Sequence, residues 1–257
     1  MWLATVTDPW RAVLFFLAGV AGGMANGIAG GGTFITFPTM LALGVAPLPA
    51  NLSTTVAIIP SFLGNLRGFR AEIAAHAALI RRLVPVVALG TAAGTALLLL
   101  GSSRTFERVV PWLIGAATVV FAAAPVITRR LATLDHDHPA RWWLLAGGMA
   151  VTAAYGGYFG AGVGIMMLAT MAVALPLALP EIQGVRSVLS LLVTIEAAIV
   201  FLIHGHLVLG AIYPMFAGAL VGGWLGTQLI LRLRATYVRL IIVAIGIATT
   251  IHLAAAA

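Results

Sequence analysis

Apolar residues run through this chain in long blocks, without the strict alternation of half-buried strands or the one-sided stripe of water-soluble helices. Residues 12–45 form one such block and residues 142–179 another. At 1.5 Å of rise per residue, either is too long for one straight helix across a hydrocarbon layer about 30 Å thick. Shorter apolar runs follow the first block at 49–66, 79–100 and 109–127, and follow the second at 182–203, 207–231 and 237–253. Each has the length of a membrane-crossing helix. The order, a long segment and then three plain spans, is written twice. It predicts an all-α integral membrane protein of about eight to ten membrane segments. A first repeat covers 1–128, a cytoplasmic linker 129–141 and a second repeat 142–257.

Both long blocks carry glycine clusters. Gly30, Gly31 and Gly32 stand in a row within 27–38, and Gly156, Gly157, Gly160, Gly162 and Gly164 crowd the middle of the second block. Each glycine costs about 1 kcal/mol in a helix interior, so the helix is expected to stop at both places. New half-helices would then begin at Thr33 to Thr36 and at Val163 to Ile165. In lipid the freed backbone groups need partners in protein or a wet cavity, and matching interruptions in two halves mark a midplane substrate site. The competing reading is that these glycines let helices approach closely.

Composition agrees with a membrane chain: 61% hydrophobic, 8% charged, mean hydropathy +1.09. The net charge of +7 comes wholly from arginine, since there is no lysine. If each broken block goes in and returns as a hairpin, ten arginines share one side: Arg67, Arg70, Arg81, Arg82, Arg129, Arg130, Arg141, Arg232, Arg234 and Arg239. Arg104 and Arg108 face them. Single crossings would divide the same twelve seven to five. The positive-inside rule therefore favours two inverted repeats in the cell membrane, with the arginine-rich side cytoplasmic and both termini outside. The arginines sit in short gaps and form no basic face for nucleic acid. With no cysteine, disulfides and thiolate chemistry are excluded. Residues 1–11 read as a short polar lead, not a signal peptide.

At the glycine break the chain resembles the TauE/SafE family of membrane permeases. The resemblance rests on Gly-Gly-Gly-Thr-Phe-Ile-Thr-Phe-Pro at 30–38, Ala-Asn-Leu-Ser-Thr-Thr-Val-Ala at 50–57 before Pro60, and the turn at 68–72. In the second half it rests on Tyr-Gly-Gly-Tyr-Phe-Gly-Ala-Gly-Val-Gly at 155–164 and Gly-Gly-Trp-Leu-Gly at 222–226. It implies a secondary transporter of small sulfur-containing anions such as sulfite or organosulfonates. Where relatives tend to carry Ala-Leu-Lys-Asn and a further Asn seven residues on, this chain reads Gly184, Val185, Arg186, Ser187 and Thr194.

An oxyanion needs positive potential and several donors where water is scarce. Helix starts supply both, through orphan amides and the helix dipole. The candidate substrate-binding residues are therefore Gly30, Gly31, Gly32, Thr33, Gly160, Gly162 and Gly164, with Asn51, Ser53, Thr54, Arg186, Ser187 and Thr194. Arg186 could take an oxyanion with its planar fork, or snorkel to the interface from a shallow position. Glu196 lies deep in the same run and is the candidate for proton coupling, sodium being the other coupling ion considered. Ser61 and Asn65 read as helix-end or interface positions. His204 and His206 read as an interfacial loop, and His136 and His138 with Asp135 and Asp137 as a solvated linker. Trp142 and Trp143 suit an interfacial aromatic belt. No metal, cofactor or oligomer is implied. No Gly-x-Ser-x-Gly, His-Glu-x-x-His or paired-acid arrangement points to an enzyme. Carriers of carboxylates or other anions, and a non-transporting membrane scaffold, are the alternatives.

Overall fold

The structure, a computed structural model, describes residues 8–131, 141–229 and 235–256. All its regular elements are helical. In chain order they are α1 (Pro9–Ala29), α2 (Thr33–Ala42), α3 (Pro47–Ala57), α4 (Phe62–Gly68), α5 (Arg70–Ala75), α6 (Ala77–Leu100), α7 (Ser103–Leu131), α8 (Arg141–Tyr158), α9 (Val163–Ala174), α10 (Leu179–His204), α11 (Leu209–Leu229) and α12 (Ala235–Ala256). Among the described residues, stretches of α1, α6, α10 and α11 are long and apolar enough to cross a membrane, and α2 and α9 are shorter apolar helices. Most of the linker, with Asp135, His136, Asp137 and His138, lies outside the described residues, as do Arg232 and Arg234.

Both glycine clusters end a helix where the sequence predicts, and the chain then doubles back. A Cβ on Gly22 would stand 2.6 Å from Thr36 Cγ2, and one on Gly148 2.6 Å from Thr170 Cγ2, so α2 returns along α1 and α9 along α8. The hairpins are joined to the rest by two seams of small residues. Gly19 and Gly23 of α1 meet Met215, Ala219 and Gly223 of α11, and Gly90 and Gly94 of α6 meet Ala150, Ala153 and Ala154 of α8. In each seam residue numbers rise together, so the paired helices run parallel. Lacking side chains there, the backbones approach closely enough for dispersion contacts to hold them without a hydrophobic driving force. The first helix of each half thus packs on the fourth main helix of the other. The last helices of the halves, α7 and α12, pack on each other in opposite directions: Gly115 meets Thr250 and Gly246 meets Thr118.

The run 49–66 departs from expectation, for it is not one plain span. Pro60 has no N–H to donate back to the preceding turn, and α3 gives way to a single 3-10 turn at Ile59–Ser61 before α4. Ser61 is fully buried rather than interfacial. Its hydroxyl donates to the Ile58 carbonyl at 2.6 Å and accepts from Asn26 Nδ2 at 2.7 Å, which ties the bend to α1. Asn65 is also buried. Beyond it, α5 forms in the gap between two apolar runs that holds the turn at 68–72, and leans on the start of α10, where His76 and Glu181 pair at 2.9 Å. At the starts of α6 and α8, the Arg82 guanidinium lies 3.6 Å over the Trp142 ring, while Trp143 is exposed.

Candidate functional site

Helix α1 stops because Gly30 adopts a left-handed conformation, φ 76°, with its N–H closing on the Asn26 carbonyl at 2.9 Å. Gly32 then presses on α1, where a Cβ would overlap the Gly22 carbonyl, and α2 starts at Thr33. In the second half Gly160 and Gly162 both have positive φ, and Tyr155 Oη donates to the Ala161 carbonyl at 2.7 Å before α9 starts at Val163. The two breaks meet. A Cβ on Gly30 would lie 3.0 Å from Gly164 Cα, and one on Gly162 would lie 2.8 Å from the Phe34 ring. The positive dipole ends of α2 and α9 are brought into one place, while the N–H groups of Phe34, Ile35, Val163 and Ile165 already bond to the carbonyls of Gly31, Gly32, Gly160 and Gly162.

Arg186 completes that place. It sits on α10, roughly 10 Å along from the helix start, and only 2% of it is exposed. Its Nη1 lies so close to Gly30 and Gly164 that a Cβ on either would overlap it. Nε and Nη2 are buried with no hydrogen-bond partner, and no ion pair among the described residues involves this side chain. Nε–H and Nη2–H are the parallel donors along one edge of the guanidinium, the edge that takes two oxygens at once. The snorkelling alternative does not hold: the side chain turns inward between the hairpin tips. Desolvating an ion costs several kcal/mol when the protein supplies no counter-charge.

Two amides stand near by in the architecture. Asn51 of α3, fully buried, donates Nδ2–H to the Tyr158 carbonyl at 3.2 Å across the second break and keeps Oδ1 without a partner. Gln183 lies one turn before Arg186 on the same face of α10, and its Oε1 is likewise buried and unpartnered. Sequence reasoning passed over Gln183 and Asn26; an amide inside an apolar run was the available signal.

Four of the candidate hydroxyls are turned to the fold. Ser53 accepts from Val208 N–H at 2.9 Å and so caps the start of α11, while Thr54 Oγ1 donates to Met40 Sδ at 3.4 Å. Ser187 and Thr194 donate to the carbonyls of Gln183 and Ser190, at 2.7 and 2.8 Å. Thr33 is half-buried at the head of α2, and Gly31 is buried in the break. Glu196 is half-buried with Oε2 unpartnered. Ten residues beyond Arg186, it stands about 15 Å along the axis and roughly 80° round the helix, on a different face. His204 and His206 are exposed, and no group of three metal-ligating side chains occurs among the described residues.

Known proteins match nearly the whole chain. It is 26% identical over 233 residues to a probable membrane transporter protein of Haemophilus influenzae, an alignment covering 90% of this chain and 89% of that one. It is 24% identical over 249 residues to the probable membrane transporter protein YfcA of Escherichia coli K12, covering 91% and 86%. No solved structure matches the chain at a significant level. The profile of the sulfite exporter TauE/SafE family runs from residue 15 to residue 253, through both breaks and Arg186, and the chain belongs to that family of multi-pass membrane transporters.

Proposed function

We propose that this protein is a secondary transporter that carries a small sulfur-containing anion, sulfite or an organosulfonate, across the cytoplasmic membrane by alternating access. One observation carries the reading: a buried arginine with its bidentate edge free, held where two helix starts meet. A trigonal or tetrahedral oxyanion matches that arrangement, two oxygens on Nε–H and Nη2–H and its charge facing the positive dipole ends of α2 and α9. Gly31, Gly32, Thr33, Gly160 and Gly162 shape the pocket, and a contact from Asn51 or Gln183 to an anion comes from the amide nitrogen, because the unpartnered oxygens only accept.

The halves are inverted repeats, with both termini outside. The antiparallel pairing of α7 with α12 supports this, because a two-fold axis that exchanges equivalent helices and reverses them lies in the membrane plane. The bodies that rock are composites, since α1 is seamed to α11 and α6 to α8. Glu196, with one carboxylate oxygen buried and unpartnered, is the proton carrier.

Counterflow in proteoliposomes across sulfite, methanesulfonate, thiosulfate and acetate tests the assignment. Arg186→Gln is expected to lower sulfite or sulfonate exchange by about 100-fold or more, the worth of two charge-assisted hydrogen bonds. Arg186→Lys should retain part of it, because a point charge replaces the fork. Exchange undiminished in Arg186→Gln overturns the site. In Glu196→Gln, exchange without a gradient is expected to persist while acceleration by an imposed pH gradient disappears.

A further inference from the structure

A cavity of about 650 Å³ opens between α6, α7 and α8; Arg186 and the glycines of the two breaks do not line it, while Tyr155 and Tyr158, which border the second break, close its inner end. Its walls are almost wholly apolar. They run from Ala93 and Leu113 in the middle of the bundle to Gly101 and Thr105 at the turn joining α6 to α7, with Tyr158 on the third side. Eight residues of helix separate Ala93 from Gly101, about 12 Å of depth, so the groove is elongated along the membrane normal. Ala93, Leu97 and Leu100 are exposed on its rim. An exposed apolar surface on a helix long and apolar enough to cross a membrane, as α6 is, faces hydrocarbon.

The mouth is charged. Arg104 and Arg108 are exposed in the first turns of α7, and no ion pair among the described residues involves either. At 100° per residue, Arg108 flanks the face formed by Thr105, Val109 and Leu113, whereas Arg104 and Glu107 fall on the far side of the helix. The Arg108 stem can follow the groove edge and lift its guanidinium group to headgroup level. The α7 helix start adds positive potential at the same level, where Ser102 Oγ already accepts the Thr105 N–H at 3.1 Å.

We propose that this groove is a binding site for one anionic phospholipid, an acyl chain lying along α6, α7 and α8 and the headgroup phosphate held by Arg108. Charge complementarity at the mouth selects the headgroup, and the apolar walls accept the chain. The lipid occupies the leaflet opposite the main arginine cluster, so it is not the general attraction of basic loops for a cytoplasmic surface.

Photoactivatable phosphatidylglycerol and phosphatidylcholine with the same diazirine-bearing acyl chains, each in nanodiscs holding the full chain, test the proposal. Cross-links mapped by peptide mass spectrometry are expected to gather within residues 93–113 for phosphatidylglycerol, exceeding phosphatidylcholine by about fivefold. Arg108→Gln should bring phosphatidylglycerol down to the phosphatidylcholine level, and Arg104→Gln should leave the difference in place. Ala93→Trp, which fills the groove from an exposed position, should lower both. Equal labelling by the two lipids in the unaltered chain overturns the proposal. So does labelling spread evenly over the helices, or cross-linking of this region to a second copy of the chain.

Discussion

The segments that follow the two hairpins hold equivalent places and treat their polar residue differently. In the first half, α3 and α4 are divided at Pro60, and Asn51 spends its N–H on the Tyr158 carbonyl of the opposite break. In the second half, α10 is unbroken through 26 residues, and Arg186 reaches Gly30 of the opposite break with two nitrogens left unpartnered. Each side chain thus crosses to the other half's break, one to satisfy backbone and the other to present donors. The lesson is that a repeated fold need not repeat its chemistry. A neutral amide is at rest against a carbonyl, whereas a bare guanidinium asks for an anion.

Arg186 substitutions test that contrast most strongly, and the effects of others should fall off from there. Gly30→Ala forces a side chain into a left-handed conformation, costing about 1 to 2 kcal/mol, and would displace Arg186 Nη1. Exchange should therefore drop further than thermal stability does, read by counterflow beside melting in detergent. Loss of stability with full exchange would show that the guanidinium position does not matter. Asn51→Leu should cost about 1 to 3 kcal/mol by stranding the Tyr158 carbonyl, with the larger change in melting temperature rather than in the apparent KM. Ser53→Ala removes the acceptor for Val208 N–H at the α11 start and is expected to cost about 1 kcal/mol, leaving anion selectivity unchanged. A selectivity change in Ser53→Ala would place that hydroxyl in the pocket after all.

The breaks were readable because three consecutive glycines cannot propagate a helix, and the starts at Thr33 and Val163 follow from where the glycines end. The hairpin turn-back was readable from charge, since only a returning segment puts ten of the twelve loop arginines on one side. The bend at Pro60 was in plain view yet misread, because membrane helices often absorb a proline when neighbours satisfy the freed carbonyl. Here Ser61 and Asn26 hold a tighter turn instead. What local sequence could not give was depth and company. Arg186 near a run's end is equally compatible with snorkelling. Only the meeting of Gly30 with Gly164, 134 positions apart in the chain, shows that the space around it belongs to protein. The engagement of Ser53 by Val208, across 155 positions, is equally invisible locally.

The parallel seams also carry a consequence for the order of events during synthesis. The glycine face of α1, presented by Gly19 and Gly23, matches Ala219 and Gly223, which leave the ribosome only after most of the chain has done so. Until then α1 sits in lipid without its partner, held by its own hairpin alone. A helix made well before its partner is thus among the last to be locked, and a chain halted before α11 would leave it open to whichever small-residue helix it meets first.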